Sequence, residues 1–567
     1  MRLVVIGNGM VGQRLVEALR ERDTQRRWRI TVLAEERRPA YDRVRLSALF
    51  DGVSADELSL YTPDDGVELR LGEPARRIDR ERRVVVTDAG EYPYDAAVLA
   101  TGSVPFVPPI EGRDRPGVFT YRTIEDLVAI REYAAGKRAG AVIGGGLLGL
   151  EAANALRLLG LTTHVVEFAP RLMPLQVDEA GGAMLRRYVE DLGIVPHLGA
   201  ATTALRGEGA DGAVTGLELS DGTQIEADLV VVAAGVRPRD ALAREAGLPL
   251  GARGGVLVDA TCRTADPHLW AVGECAAIAE ATWPAAAESA DGTVAGVPGR
   301  CYGLVAPGYA MAEVVADRLL GGQATFPGAD TSTKLKLLGV DVASFGDAHG
   351  TSDNALEVTW TDPATRVYAK LVLSDDARTL LGGVLVGDAS AYPTLRACLG
   401  GELPGPPLSV LAPASDGKAA TAGLPGAAQV CSCHAVTKDR IVAAIADGCA
   451  DVNSIKECTK AGTGCGSCVP LLKQLLAESG VSLPKALCEH FDYSRQELFD
   501  LVRVRGITTF SQLVGEYGRG RGCDVCKPAV ASILASTHGG YILDGEQAAL
   551  QDTNDHFLAN LQRNGTY

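Results

Sequence analysis

The chain opens "MRLVVIGNGMVGQRLVEAL", and from residue 139 the same plan returns as "AGAVIGGGLLGLEAANAL". Each stretch is an apolar run that reaches three glycines and then switches to helical periodicity, which predicts strand, tight turn and helix. Gly7, Gly9 and Gly12 have separate tasks there: making the turn, letting the backbone approach a pyrophosphate, and allowing the helix to pack close on the strand. Gly144, Gly146 and Gly149 repeat the set. A second strand follows each time and ends on an acid, Glu35 after "RITVLA" and Glu167 in "THVVEFAPRL", where a carboxylate can bond a pair of ribose hydroxyls. A bare glycine turn would need neither helix nor acid, so the chain is expected to be α/β with two dinucleotide folds. Glu167 would repel a 2′-phosphate and so favours NADH over NADPH, while nearby Arg171 acts in the opposite sense.

Size and charge narrow the options. A chain of 567 residues with 46% apolar content exceeds one core and divides into three to five domains. Its 71 acids against 55 bases give a net charge of -16, which disfavours a nucleic-acid partner. The N-terminus enters a strand directly, without the basic and apolar regions of a secretory signal. No window approaches the ~18 apolar residues of a membrane span. A soluble, cytoplasmic protein with no membrane contact is expected. Closely spaced cysteines in that compartment point to metal or redox chemistry before structural disulfides.

Six of the thirteen cysteines fall between residues 430 and 468. They follow an Ala/Gly/Pro/Ser stretch after residue 411 that reads as a linker. The pairs are Cys431-x-Cys433 and Cys465-x-x-Cys468, with Gly462, Gly464 and Gly466 around the second. Four thiolates at these positions can hold a [2Fe-2S] cluster, two on each iron, with glycines letting backbone N–H groups turn toward sulfur. Zinc accepts the same ligands, but zinc ribbons usually present two CxxC turns and the first pair here is CxC. Cys449 and Cys458 read as small buried residues. Further on, "CEHFDYSRQELFDLVRVRGITTFSQLVGEYGRGRGCDVC" repeats the plan, with His490 in place of a second thiol. Cys488, His490, Cys523 and Cys526 fit either a complete iron-sulfur or zinc site or a duplicated fold whose metal was lost.

The motifs "YDAAVLATGSVPFVPP", "LVVVAAGVRPR" and "HLWAVGECA", in this order after the glycine turns, resemble the pyridine nucleotide-disulfide oxidoreductase superfamily over about residues 1–320. The resemblance implies that Gly7, Gly9, Gly12, Glu35, Arg43, Thr101, Gly102, Gly273 and Glu274 hold FAD, and that Gly144, Gly146, Gly149 and Glu167 hold NAD(P)H. Glu274 stands where many relatives have an aspartate reaching the ribityl chain. Glu151 falls on a glutamate beside the nicotinamide and is the candidate catalytic residue. Disulfide reductases of this group carry a cysteine pair just after the second strand, where it takes electrons from the flavin. Here the first cysteine is Cys262, so electrons must leave the flavin by another route.

Residues 429–478 resemble the bacterioferritin-associated ferredoxin-like domains. The stretches "PAYDRVRLS", "ECTKAGTGCGSC", "STKLKLLGVDVASFGD" and "LQDTNDHFLANLQRNGTY" resemble the large subunits of bacterial assimilatory-type NAD(P)H nitrite reductases along the whole chain. This implies an NAD(P)H-oxidising oxidoreductase that feeds electrons through FAD and a [2Fe-2S] cluster toward a sirohaem centre reducing nitrite to ammonia. Sirohaem and a [4Fe-4S] cluster are expected only beyond this sequence, either in a longer chain or in a separate subunit. A small Rieske-type subunit and a homodimer are further expected partners. The alternatives are a ferredoxin-type reductase serving iron release, and a non-catalytic flavin and cluster redox sensor.

The expected organisation is FAD-binding at 1–110 and 241–320 and NAD(P)H-binding at 111–240. An α+β, strand-rich interface domain follows at 321–410 and a linker at 411–428. The ferredoxin-like module occupies 429–478, its helical degenerate copy 479–538, and a C-terminal segment 539–567.

Overall fold

The computed structural model describes residues 1–61, 64, 66–209, 212–279, 298–337, 339–403, 405–411, 424–431, 434–463, 468–479, 487–488, 490–523 and 525–538. Most of the expected linker and all of the 539–567 segment lie outside them. The chain divides into two compact units, Met1–Ala446 with Ile455–Leu472, and Asp447–Ser454 with the residues from Lys473 onward.

Two parallel five-stranded sheets dominate the larger unit. In the first, Arg2–Ile6 is central, flanked by Arg29–Leu33 and then Val67–Arg70 on one side, and by Ala96–Leu99 and then Leu269–Ala271 on the other. In the second, Ala139–Ile143 is central, flanked by Thr162–Glu167 and Ile194–Leu198, and by Leu229–Val232 and Val118–Thr120. Strands of this kind are covered on both faces, which is why "LVVI" and "LVVV" are continuous apolar runs and not alternating ones. The duplication extends to an antiparallel three-stranded meander in each half, from Ala75–Asp79 to Glu91–Pro93 and from Thr202–Gly207 to Gln224–Glu226. The chain leaves the first sheet after Leu99, builds the second, and returns with Leu269–Ala271.

The glycines act alike in both copies. Gly7 and Gly144 have φ of +110° and +113°, and a Cβ would stand 2.3 and 2.4 Å from the carbonyl oxygens of Ala100 and Ala233. Gly9 and Gly146 face open space, and a Cβ on Gly12 or Gly149 would strike the carbonyl of the first glycine of its own turn. Helices Met10–Arg22 and Leu147–Leu158 follow directly. Neither has a side-chain cap or an acid in its first turn, so the leading N–H groups are left for an anion.

An antiparallel sheet of Thr333–Leu337, Val340–Gly346, Leu380–Gly387, Val367–Leu373 and Leu356–Asp362 comes next. Among the described residues only the edge strand Leu356–Asp362 alternates in exposure, whereas Val367–Leu373 and Leu380–Gly387 are buried almost throughout, unlike the alternation expected from sequence. It packs Val340, Val342, Val384 and Val386 into the core of the second parallel sheet. Lys370, 2% exposed, bonds there to Asp178 at 3.0 Å and Glu357 at 3.1 Å. Asp178 is also the cap of helix Glu179–Asp191 and accepts from Tyr368 Oη, so this buried charge is fully partnered.

The ferredoxin-like stretch has a small hairpin, Gln429–Cys431 with Val436–Thr437, then helices Lys438–Ala446, Val452–Thr459 and Val469–Glu478. Ile441 and Ile445 are buried one turn apart, the inner face expected of "KDRIVAAIADG". The smaller unit carries helices Arg495–Arg505, Phe510–Tyr517 and Cys526–His538 around Phe491, Leu498, Val502, Leu513, Val530 and Leu534. In both stretches the Cys or Cys/His pairs bracket two helices in sequence and a third helix follows.

Candidate functional site

A cavity of about 770 Å³ opens at the carboxyl ends of the first parallel sheet, where a doubly wound fold places its ligand. Its lining includes Gly7, Gly9, Glu35, Arg43, Thr101, Gly102, Gly273 and Glu274, residues scattered over 268 positions of sequence. Gly12 stays outside it, against the Gly7 carbonyl, which is the packing task expected of a third glycine. The pairing of Ser103–Pro105 with Val236–Pro238 brings the "ATGS" and "VRPR" motifs together. Thr101 Oγ1 donates to the Arg239 carbonyl at 2.7 Å, and Arg239 N–H to the Gly102 carbonyl at 2.9 Å.

Three ion pairs line the cavity. Arg239 chelates the Glu35 carboxylate, with one bond at 2.9 Å, and this guanidinium holds the Glu35 carboxyl below its usual range. Glu274 accepts from Ser103 Oγ at 2.8 Å and pairs with Arg122 at 2.5 Å, with both charged side chains about one-fifth exposed. Arg43 pairs with Glu36, lies over the Tyr41 ring at 4.5 Å and donates to the Arg122 carbonyl at 3.1 Å. One polar atom is left over: Asn8 Nδ2, inside the glycine turn, is buried without a partner. A nucleotide with phosphate and carbonyl acceptors suits such a lining, and the residues present therefore fit FAD.

Asn8, Glu36, Arg122 and Arg239 were not singled out from sequence. Asn8 sits within the quoted glycine turn, and Glu36 directly follows Glu35. Arg239 ends the quoted "VRPR" motif, and Arg122 carries no local signal, since only the folding of the turn after Val118–Thr120 delivers it.

In the second copy, Glu167 accepts from Gly145 N–H at 2.6 Å and from Ala169 N–H at 2.8 Å, closing the loop that follows its strand. Arg171 donates to the Val177 carbonyl at 2.9 Å and to Pro174, which engages it in its own loop. Glu151 lies in the second turn of helix Leu147–Leu158, half-buried, and desolvation pushes its carboxyl up to about 7. Beside it the Tyr121 hydroxyl is buried and unpartnered, raised by burial and by the Glu151 charge.

Cys262 is fully buried with its thiol pushed far up, and Cys275 is buried likewise, so neither offers a thiolate for exchange. Of the four thiols expected on the cluster, Cys431 and Cys468 are buried, while Cys433 and Cys465 lie outside the described residues. Gly462 has a φ of +85°, a conformation that glycine adopts freely. Cys449 is buried, but Cys458 is exposed, off the Ile455–Thr459 stripe of its helix, and both are disulfide-bonded. That differs from the expectation of two buried thiols. In the smaller unit the ligand atoms of Cys488, His490, Cys523 and Cys526 all lie within 4.8 Å of one another.

Two Rossmann-like folds, an interface sheet and a four-cysteine module define the class, a flavin-dependent NAD(P)H oxidoreductase joined to a ferredoxin-like domain. Three family profiles agree: pyridine nucleotide-disulphide oxidoreductase over residues 1–290, rubredoxin NAD+ reductase C-terminal domain over 332–402, and BFD-like [2Fe-2S] binding domain over 429–478. The chain belongs to the NAD(P)H nitrite reductase large-subunit family of these flavoproteins. It is 50% identical to the nitrite reductase [NAD(P)H] large subunit of Klebsiella oxytoca, aligning over 100% of this chain and 58% of that one. It is 34% identical to the nitrite reductase [NAD(P)H] of Bacillus subtilis (strain 168), over 100% of this chain and 69% of that one. Among solved structures, the ferredoxin reductase for the CYP199A2 system of Rhodopseudomonas palustris superposes with a TM-score of 0.58 at 28% identity, covering 69% of this chain and 92% of the other. The chain therefore spans a little over half the length of its Klebsiella relative. Among the described residues no helix is long and apolar enough to cross a membrane.

Proposed function

We propose that this chain is the electron-input part of a nitrite reductase, oxidising NAD(P)H and delivering electrons through FAD and a [2Fe-2S] cluster toward a sirohaem centre that reduces nitrite to ammonia. The observation that carries it is the convergence of eight expected flavin residues on one cavity in a chain that also bears the four-cysteine module. FAD bound there would take two electrons as hydride from a nicotinamide and release them singly, the only currency an iron-sulfur cluster accepts.

The chain's own residues would do the following. The uncapped helix start after Gly9 would hold the pyrophosphate, and Asn8 Nδ2 would gain the acceptor it lacks. Glu35, fixed by Arg239, would receive the ribose hydroxyls, and Glu274, fixed by Arg122 and Ser103, the ribityl chain. Gly144, Gly146, Gly149 and Glu167 would hold NAD(P)H, with NADH preferred because Arg171 is spent on its own loop. Glu151 would stand beside the nicotinamide. Its carboxylate form would stabilise the positive charge that develops on the ring as hydride departs. Cys431, Cys433, Cys465 and Cys468 would hold the cluster. The sirohaem centre with its [4Fe-4S] cluster, a small Rieske-type subunit and a second copy of this chain are the partners this reading implies, in the cytoplasm.

A second reading, in which a separate ferredoxin is the acceptor, is favoured by the similarity to a ferredoxin reductase. That similarity covers 69% of this chain, and a built-in ferredoxin-like domain makes a separate ferredoxin redundant. Reconstitution with the sirohaem partner separates the two. Cys465→Ser should abolish NADH-driven nitrite reduction while leaving flavin reduction intact, and a variant that reduces nitrite at the unmodified rate would overturn the proposal.

A further inference from the structure

We infer that Cys488, His490, Cys523 and Cys526 hold a single zinc ion that staples the helical module 487–538, and that this module carries no second iron-sulfur cluster. The two ligand turns are built locally. Cys488 to Phe491 closes on itself through an isolated bridge and a bond from Phe491 N–H to the Cys488 carbonyl at 3.3 Å, and His490 N–H points at Cys488 Sγ at 3.4 Å. On the other side Cys526 begins the last helix, Lys527 N–H returns to the Cys523 carbonyl at 3.0 Å, and Cys523 N–H donates to Cys526 Sγ at 3.1 Å. The backbone thus turns N–H groups toward sulfur at both ends, as metal thiolates require. Gly520, with φ of +72°, lies against the imidazole: a Cβ there would be 3.1 Å from His490 Cδ2.

Distances select the metal. Cys523 Sγ and Cys526 Sγ are 3.8 Å apart, Cys488 Sγ and His490 Nδ1 are 3.7 Å apart, and the whole set fits within 4.8 Å. A tetrahedral zinc ion with Zn–S of about 2.3 Å and Zn–N of about 2.0 Å gives edges of about 3.8 Å between sulfurs and about 3.5 Å from sulfur to nitrogen. Both pairs lie within about 0.2 Å of those edges. A two-iron cluster binds its ligand pairs at opposite ends of an Fe–S rhomb, which spreads them beyond the shell of one ion. Three thiolates and one imidazole with no position left open is a structural zinc set.

The module also needs such a staple. Its core is small, led by Phe491, Leu498, Val502, Leu513 and Leu534, and so little buried surface is marginal for independent stability. One ion would tie the segment before the first helix to the start of the last, adding binding energy to folding energy. Because zinc has no redox chemistry, electrons would not pass through this module. The inference does not depend on the proposed acceptor.

The test uses the full chain purified anaerobically with its flavin and cluster, analysed for zinc, iron and sulfide. About one zinc beside two irons per chain is expected, with zinc-edge X-ray absorption fitting three sulfurs at about 2.3 Å and one nitrogen at about 2.0 Å. The pair Cys523→Ser and Cys526→Ser should lose that zinc, to below about a tenth of an equivalent, and keep the irons and the flavin. Four irons without zinc, two irons without zinc, or zinc that survives the double substitution would each overturn the inference. If the double variant does not fold, the absorption spectrum of the unmodified chain still decides.

Discussion

The two nucleotide-binding folds share one turn geometry, yet their surroundings differ. Gly7 and Gly144 each press against a carbonyl, Gly9 and Gly146 each face open space, and both following helices start uncapped. What differs is the acid. Glu35 projects into a cavity and is held from across it by Arg239, whereas Glu167 turns back to close its own loop through Gly145 and Ala169. The first copy's cavity is lined in part by residues arriving from the second, Arg122 and Arg239, while the second copy's core takes Tyr41, Leu46 and Leu58 from the first. A shared motif can thus define a phosphate cradle twice, while neighbouring elements decide which copy keeps a resident cofactor and which admits an exchanging substrate.

The strongest challenge to that comparison is to damage each cradle in turn. Gly7→Val would place its Cβ against Ala100 at a φ that side chains avoid, and flavin content should fall to below about a tenth. Gly144→Val should leave flavin bound and slow its reduction by NADH by about 100-fold or more, with a matching rise in the NADH concentration needed. Equal flavin loss in both variants would show that the copies are not specialised.

A smaller effect is expected at Glu151. With its carboxyl pushed up to about 7, the group is neutral below that pH and charged above it. Flavin reduction by NADH should therefore rise with pH through about 7, and Glu151→Gln should flatten the profile and lower the alkaline rate about tenfold. Stability has the opposite sign. A carboxyl raised above its unfolded value stabilises the fold fully below about pH 4.5 and loses that contribution as pH climbs toward 7. Urea midpoints of the unmodified chain should decline over that window relative to Glu151→Gln.

The smallest effect concerns coenzyme choice. NADH should exceed NADPH in kcat/KM by about tenfold or more, and Glu167→Ala should narrow that ratio a few-fold while weakening both, since two loop N–H groups lose their acceptor. An unchanged ratio would place selectivity elsewhere.

Both parallel sheets were legible in the sequence because their signals are local: buried strands as apolar runs, turns as three glycines, helices as a change of period. Eight cavity residues were legible through motif order. Arg122 and Arg239 were not, because they act in the first fold while belonging by sequence to the second: the pairing of Ser103–Pro105 with Val236–Pro238 brings in Arg239, and Arg122 comes from the turn after Val118–Thr120. His490 was visible as a substitution in a repeated plan, but its nearness to Cys523 and Cys526 depends on how two helices reverse the chain between them. The exposure of Cys458 follows from helix phase, which eight residues between loops define weakly.

The central claim is that a nicotinamide's electron pair is split at the flavin and leaves through iron held by Cys431, Cys433, Cys465 and Cys468. Anaerobic stopped-flow mixing with NADH, with freeze-quenched electron paramagnetic resonance at matched times, tests it most directly. The flavin absorbance should bleach first, and the signal of a reduced [2Fe-2S] cluster should then grow to about one spin per chain. A flavin that bleaches fully while the cluster stays oxidised would contradict the account.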